Sequence, residues 1–499
     1  MVPASRRLGE VFQLVERKSY FTVHAPRQIG KTTTLLAIAR ELTAAGGHAA
    51  VLVSMETGAG FPDDIGAAEL AVLTSWRNAA SEQLPPALHP PPWPDAPPGS
   101  RIGEALRAWS EASQRPLVVF LDEIDALRNG VLLSVLRQLR DGYRNRPRRF
   151  PWALALVGLR DVRDYQVAVG ERDHLGTASP FNIKVRSLTL GDFTVDEVRA
   201  LYGQHSADTG QVFAVDALER VVHYTGGQPW LVNALAAVAI DVLVPDRSEP
   251  ITAAVVERAV RVLIDRRDTH LDSLAERLRD PRVRNVLAPL IAGATPPTLL
   301  DNDEIRYAID LGLVKRTDAA LAFANPIYQE IVSRELFFAA RSTLPPIDPS
   351  WRAADGRLDR AALLSGFLAF WRRHGEPLMR TAQYHEIAAQ LVLMAFLDRV
   401  ANGGGAVERE YAIGSGRLDL CLRLGDDRLA IEVKVWREGE PDPRAEGLEQ
   451  IDRYLAGLGL RHGWLVIFDR RPGLARLSER TVAEPATTPG GRAVDVVRA

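Results

Sequence analysis

The tightest constraint on this chain is local. An apolar run, YFTVHA (20–25), leads through PRQ into Ile29-Gly30-Lys31-Thr32 and then into an amphipathic stretch. Strand, glycine-containing turn and helix start are what a backbone needs to wrap phosphate oxygens. Inward N–H groups and the helix N-terminus face the anion, a lysine reaches the outer phosphates, and a hydroxyl serves Mg²⁺. Gly30, Lys31 and Thr32 supply those parts, with Gln28 and Thr33 as flanking contributors to the nucleotide contacts. Ala25 stands where such loops usually begin with glycine, and alanine fits there if φ stays negative.

The same constraint asks for a second, acid-ended strand, and LVVFLDEID (117–125) provides one. Asp122 is expected beside Mg²⁺ and Glu123 where it orients the attacking water. A lone Gly-Lys-Thr also occurs as a surface turn; an acid-ended apolar strand in the same chain weighs against that.

From Tyr20 to about Leu190, apolar runs alternate with amphipathic stretches, the pattern of an α/β domain with a parallel sheet. Strands are expected at 20–25, 49–56, 116–123, 152–159 and 182–188. The proline-rich stretch 84–100 is expected to be an exposed extended loop without helix or strand. Beyond it the spacing turns helical, with a start near Thr194 and a stop at Gly226-Gly227. Residues 280–340 read as three helices and then a short hairpin, the outline of a winged helix. A helix around 380–400 and strands at 407–413, 417–424, 428–436 and 463–469, with a helix at 444–458, complete the expected elements.

Composition narrows the setting. At 499 residues the chain exceeds a single ordinary core, and 46% hydrophobic with 25% charged residues is a globular balance. A net charge of -2 gives no global basic signature. The one cysteine, Cys421, excludes an intrachain disulfide and fits a cytoplasmic setting. No apolar run reaches membrane-spanning length, so no membrane partner is expected. Basic charge is nearly all arginine; the only lysines are Lys18, Lys31, Lys184, Lys315 and Lys434, and two of them fall in motifs.

The stretches APRQIGKTT, FLDEID, VGLRDVRDY, SPFNI and TGGQPWLVN resemble bacterial AAA-like P-loop ATPases near the STAND and archaeal-ATPase groups. The resemblance covers roughly residues 1–340 and implies ATP and Mg²⁺ as cofactors, a five-stranded core, a helical lid and a winged helix. It puts Arg160 at the sensor position. Gln228-Pro229 would open a lid helix, near the nucleotide or as a plain helix start. Arg144, Arg146, Arg148 and Arg149 lie on a loop that could reach a neighbouring nucleotide in a ring, but a charged, solvated loop is the first reading of them and no ring is expected. A homo-oligomer is left open.

A second constellation lies in GSGRLDLCLRLGDDRLAIEVKVW, which reads as a β-hairpin. Asp419 is on the first arm, and Glu432 and Lys434, two apart, share a face of the second. Two carboxylates and an ammonium are costly to bury unless they bind one another or a cation. With a hard divalent metal on Asp419 and Glu432, and Lys434 positioning water, they make a phosphodiester-cleaving set. Gln450 and Tyr454 follow one turn apart on a helix, and Glu386 lies on an upstream helix. Together these resemble the PD-(D/E)XK nuclease superfamily, in its branch with a Q-x-x-x-Y helix, over about 365–480. The resemblance implies Mg²⁺ or Mn²⁺ on Asp419 and Glu432, Lys434 as catalytic lysine and Glu386 as auxiliary acid. Gln450 and Tyr454 would orient the site or the nucleic-acid backbone. Trp371, Arg372, Arg373, Arg380, Trp436 and Arg437 are further candidates for phosphate contact.

The expected fold class is thus α/β multidomain. It comprises an ASCE/AAA-like parallel-sheet core (1–190), a helical lid (191–275), a winged helix (276–341), a linker (342–362) and a restriction-endonuclease-like α/β domain (363–499). The expected function is an ATPase that gates a metal-dependent nuclease, with DNA as the nucleic-acid partner, in defence or mobile-element biology. The rivals are a STAND-like nucleotide switch whose C-terminal domain only binds, and a winged-helix transcription regulator.

Overall fold

The computed structural model describes residues 3–159, 183–266, 271, 274, 276–291, 303–317, 320–341, 351, 353, 357–381, 388–401, 405–411 and 418–499, some by backbone alone. They form two compact units, 1–263 with 310–312 and 264–309 with 313–499.

The first unit is built on five strands: β1 (Tyr20–His24), β2 (Ala49–Ser54), β3 (Leu117–Asp122), β4 (Ala153–Gly158) and β5 (Arg186–Thr189). All neighbours are parallel, in the order β2-β3-β4-β1-β5. Alternate residues explain why the strands read as unbroken apolar runs. Tyr20, Val119, Leu121 and Leu154 face one side, packed with α4 (Ile65–Gln83), α5 (Arg101–Ala112) and α6 (Asn129–Gly142). Phe21, Val118, Phe120 and Ala155 face the other, against α1 (Ala4–Arg7), α2 (Glu10–Glu16) and α3 (Lys31–Ala44). The result is a three-layer α/β fold with a five-stranded parallel sheet.

Two expectations for this unit need correction. The fifth strand runs over Arg186–Thr189 rather than 182–188, because its ladder is limited to Phe21–His24 of β1. The proline-rich stretch is not a free loop. Its Leu88 and Ala96 are buried, Trp93 packs on Trp109, and Trp93 Nε1 donates to the Leu73 carbonyl at 3.0 Å. Proline bars ladder bonding but not the docking of apolar side chains, and Pro86–Leu88 make a 3₁₀ turn.

Helices α7 (Val195–Thr209), α8 (Val215–Thr225), α9 (Pro229–Ala237) and α10 (Ala253–Arg266) follow. Thr194 and Glu197 form a reciprocal capping box on α7. Gly226, left-handed, ends α8, as its sequence anticipates.

In the second unit, α11 (Pro281–Ile291) and α12 (Asp303–Asp310) precede the hairpin β6 (Val314–Arg316) and β7 (Leu321–Phe323), and α13 (Pro326–Arg341) follows it. The helix after the hairpin is additional to those expected before it; Asn325 caps it by accepting from Tyr328 N at 2.9 Å. Helices α14 (Arg360–Thr381) and α15 (Ala388–Ala401) come next, the second of them where a helix near 380–400 was expected.

The larger sheet has six strands: β8 (Gly405–Tyr411), β9 (Leu418–Leu424), β10 (Asp427–Trp436), β11 (His462–Asp469), β12 (Val482–Thr487) and β13 (Ala493–Arg498). Their order is β12-β13-β11-β10-β9-β8. Strands β10, β11 and β13 are parallel and the outer pairings antiparallel. Between β10 and β11 runs α16 (Arg444–Leu458). Ile451 and Leu455 of this helix pack on Ala430, Leu465 and Ile467. The opposite face is aromatic, with Phe367 of α14 stacked on Trp464 and Trp371 packed on Phe468. The last two strands, and the short α17 (Leu477–Arg480) before them, extend the domain past the region that the motifs marked.

Among the described residues no helix is long and apolar enough to cross a membrane.

Candidate functional sites

In a parallel sheet the loops after the carboxyl ends of the strands form the natural ligand edge, above all where strand order reverses. Here β1 carries the Gly-Lys-Thr turn and β3 the acids, with β4 between them. Helix α3 begins at Lys31, and Gly30 before it is left-handed at φ 89°. Gln28 is left-handed too, at φ 60°, whereas Ala25 is not in that region. The loop thus turns at Gln28 and Gly30, and its first position asks nothing of glycine.

The lysine and the acids converge. Lys31 Nζ donates to the Ala25 and Pro26 carbonyls at 2.6 and 2.8 Å. Burial pushes its ammonium below the usual value, and nearby Asp125 and Asp122 oppose that. Thr32 Oγ1 donates to Asp122 Oδ2 at 2.6 Å, across 90 residues of chain. The other Asp122 oxygen accepts from Glu123 N at 3.0 Å. Burial raises the Asp122 carboxyl above the ordinary range, while the Thr32 and Glu123 hydrogen bonds and Lys31 pull it back. A hydroxyl and a carboxylate already in contact are hard oxygen donors of the kind Mg²⁺ takes. Thr33, in the first turn of α3, is exposed.

Glu123 sits just past the strand in a left-handed conformation, φ 56°. Such a backbone is costly for a non-glycine residue and is found where a side chain must be aimed. Its Oε2 accepts from Ser54 Oγ at 3.0 Å. Burial raises its carboxyl, the Ser54 bond opposes this, and Glu56 adds to the rise. Neither Ser54 nor Glu56 stands out by motif. Ser54 ends a strand whose register pairs it with Asp122, and a polar end to an apolar strand was the available signal.

Arg7 is another residue without a motif. It donates to the Ile29 carbonyl at 3.0 Å and to the Gly191 carbonyl at 2.5 Å, and its guanidinium lies 4.6 Å from the centre of the Phe193 ring. It therefore braces the turn that leads into α3.

Arg160 lies outside the described residues. Gln228 is a helix cap: its Oε1 accepts from Leu231 N at 2.6 Å, and Pro229 is the first helical residue. Arg146 is spent inside its own unit, 3.5 Å from the Tyr143 ring centre, while Arg144 pairs with Asp141 and Arg149 with Glu111. Those pairs support the solvated-loop reading of that cluster.

In the second unit, β9 and β10 form the expected hairpin, pairing Ile431 with Leu420 and Ala430 with Cys421. That pairing runs from Asp427–Leu424 to Ile431–Leu420, and Asp419 continues β9 in register with Glu410 of β8. The side chain of Asp419 lies outside what is described, as does Glu386 altogether. Glu432 is 0% exposed, under α16. Lys434 Nζ is 3.3 Å from its Oε1 and 3.7 Å from Glu446 Oε1. Gln450 is buried and its Nε2 donates to Glu446 Oε1 at 2.6 Å. The Tyr454 ring packs on the cluster under α16. No group of three or more metal-ligating side chains occurs among the described residues. What the described residues do show is a buried carboxylate, Glu432, with an ammonium beside it.

Several phosphate-contact candidates are occupied by the fold. Trp371 is core, and Arg372 donates to the Thr481 carbonyl at 3.0 and 2.7 Å. Trp436 lies under Arg471, 3.4 Å from its ring centre. Arg380 has no described side chain. An arginine-rich chain uses this cation for packing as well as for ligands.

No protein-family model matches the chain, and no curated protein does. Solved structures give loose likenesses. The Walker-type ATPase PABY2304 of Pyrococcus abyssi is 13% identical, with a TM-score of 0.48, over 66% of this chain and 96% of its own. The RuvB Holliday junction branch migration motor of Thermotoga maritima is 16% identical, with a TM-score of 0.36, over 66% and 93%. Aeropyrum pernix Orc1, in complex with DNA, is 15% identical, with a TM-score of 0.34, over 67% and 92%. Likeness at this level assigns no function; the residues of the chain itself must do so.

Proposed function

We propose that this chain binds and hydrolyses ATP and that nucleotide occupancy gates metal-dependent phosphodiester cleavage, with DNA as the substrate. The observation that carries the ATPase half is the contact of Thr32 with Asp122, beside Lys31 and Glu123. Phosphoryl transfer needs positioning and charge more than covalent chemistry, and this set offers both. Thr32 and Asp122 would hold Mg²⁺, which supplies charge against the phosphates when bound. Lys31 exchanges carbonyl partners for phosphate oxygens. Glu123, ionised, orients water and accepts its proton. The buried Asp122 stays fixed by Thr32 and by the Glu123 amide.

The nuclease half is supported by buried Glu432 and Lys434 at 3.3 Å, with Asp419 carried on the adjoining strand β9. Asp419 and Glu432 would hold Mg²⁺ or Mn²⁺, which supplies Lewis acidity to the phosphodiester. Lys434 positions the attacking water, and Gln450 fixes the edge of the site. Glu386 and Arg160 enter as an auxiliary acid and a sensor. The boundaries 1–190, 191–275, 276–341, 342–362 and 363–499, with a winged helix in the third segment, belong to the same proposal. So do a cytoplasmic setting and a homo-oligomer.

The test is a panel of DNA and RNA substrates with ATP, ADP or a non-hydrolysable analogue and Mg²⁺ or Mn²⁺. Asp419→Ala and Lys434→Ala should abolish cleavage and leave ATP turnover intact. Cleavage absent under every condition, with salt-dependent DNA binding retained, would instead make the chain a nucleotide-controlled binding switch.

A further inference from the structure

The acid–ammonium site holds one more charged residue than its motif. Glu446, in the first turn of α16, reaches back over β10. Its Oε1 lies 3.7 Å from Lys434 Nζ and accepts from Gln450 Nε2 at 2.6 Å. The helix can come this close because Gly447 has no side chain. A Cβ there would lie 2.6 Å from Leu465 Cδ1 on the neighbouring strand. Lys434 is thus gripped by Glu432 from within the sheet and by the more exposed Glu446 from the solvent side.

The amide of Gln450 carries the second observation. Gln450 is 7% exposed, and its Oε1 has no hydrogen-bond partner among the described residues. Because Nε2 is committed to the Glu446 carboxylate, the oxygen is fixed as the free end of the amide. A buried acceptor without a donor is costly, and the chain keeps one here beside a carboxylate and an ammonium. A donor from outside the chain would satisfy it, and water bound to a divalent cation is such a donor.

We infer that Glu446 is a positioning residue for this site. It holds the Lys434 ammonium over Glu432 and sets the Gln450 amide so that Oε1 accepts from metal-bound water. The inference rests on the nuclease reading for its catalytic consequence, but the grip on Lys434 can be measured without any cleavage.

The experiment uses the full chain and the variants Glu446→Gln and Glu446→Asp. With only five lysines, amine labelling followed by mass spectrometry reads Lys434 directly, with exposed Lys315 as internal standard. Labelling of Lys434 relative to Lys315 should rise severalfold in Glu446→Gln and stay near the parent in Glu446→Asp. Mn²⁺ affinity by calorimetry should stay within about twofold in Glu446→Gln, while the cleavage rate falls about 10–100-fold at unchanged KM for DNA, the usual effect of losing an outer partner. Glu446→Asp should recover most of that rate.

Unchanged Lys434 labelling in Glu446→Gln overturns the inference. So does a large loss of Mn²⁺ affinity, which would make Glu446 a ligand. Absence of cleavage by the parent protein overturns the nuclease reading alone, since labelling still decides the position of Lys434.

Discussion

The two units each place one of the chain's scarce lysines in a site, but they hold it differently. Lys31 is gripped by neutral oxygens, the carbonyls of Ala25 and Pro26. Lys434 lies between two carboxylates, one of them fully buried. A lysine on carbonyls can transfer to an arriving anion at little cost, because the carbonyls it leaves carry no net charge. A lysine on a buried carboxylate is part of the fold's charge balance and cannot leave unless another cation takes its place. The first arrangement suits an ammonium that binds phosphates, the second an ammonium that shares its site with a metal.

The largest test of that contrast is removal of each lysine. Lys31→Ala should weaken ATP binding by about 3 kcal/mol or more, roughly a hundredfold, and bring hydrolysis to background. Its unfolding midpoint in urea should stay near the parent value. Titration with a fluorescent nucleotide and a urea melt check both halves of the statement. A large loss of stability with ATP binding intact would erase the distinction.

Lys434→Met should behave in the opposite way. It takes an ammonium 3.3 Å away from the fully buried Glu432 carboxylate, and breaking a buried ion pair costs about 3–5 kcal/mol. Mn²⁺ should restore part of that stability, and adding Glu432→Gln should restore much of it without metal. ATP binding should not change. Urea melts of the single and double variants, with and without Mn²⁺, decide this; a Lys434→Met protein as stable as the parent would put the ammonium outside the charge balance.

A smaller effect is expected at Arg7, which braces the Gly30-Lys31-Thr32 turn without belonging to its motif. Arg7→Ala removes the bond to the Ile29 carbonyl and the one to Gly191. Bonds from a charged donor are worth about 1.5–3 kcal/mol, so nucleotide affinity should fall about tenfold, well short of the loss in Lys31→Ala. Equal losses in the two variants would mean that Arg7 itself contacts the nucleotide.

The parallel sheet, the Gly30-Lys31-Thr32 turn and the hairpin were legible in the sequence because each has a local cause. Parallel strands buried on both faces read as apolar runs, and Gly30-Lys31-Thr32 and Glu432-x-Lys434 are adjacent in the chain. What was hidden depends on tertiary contact. The docking of Leu88 and Trp93 could not be read from a proline-rich stretch, nor could the burial of Trp371 from its arginine neighbours. The last two strands lie beyond the motif and carry no signature. Ser54, Arg7 and Glu446 reach their sites from other elements, and only the strand register and the approach of α16 reveal them. Glu446 is the plainest case: in sequence it is one acid in a polar helix turn, and in space it touches both Lys434 and Gln450.

The smallest effects concern Glu123, the second acid of the proposed nucleotide site, where direction matters more than size. Glu123 must be ionised to accept a proton from water. Burial raises its carboxyl above the usual range, so ATP turnover should fall on the acid side at a higher pH than an exposed glutamate would give. Ser54 donates to the ionised form, and Ser54→Ala removes that support, moving the acid limb to still higher pH. Glu56 is a neighbouring acid that disfavours ionisation, and Glu56→Gln should move the limb to lower pH. Rate–pH profiles of ATP hydrolysis at saturating ATP, in the parent and both variants, give the order. Shifts of the two limbs in the same direction would remove Glu123 as the group that titrates and leave Asp122 as the alternative.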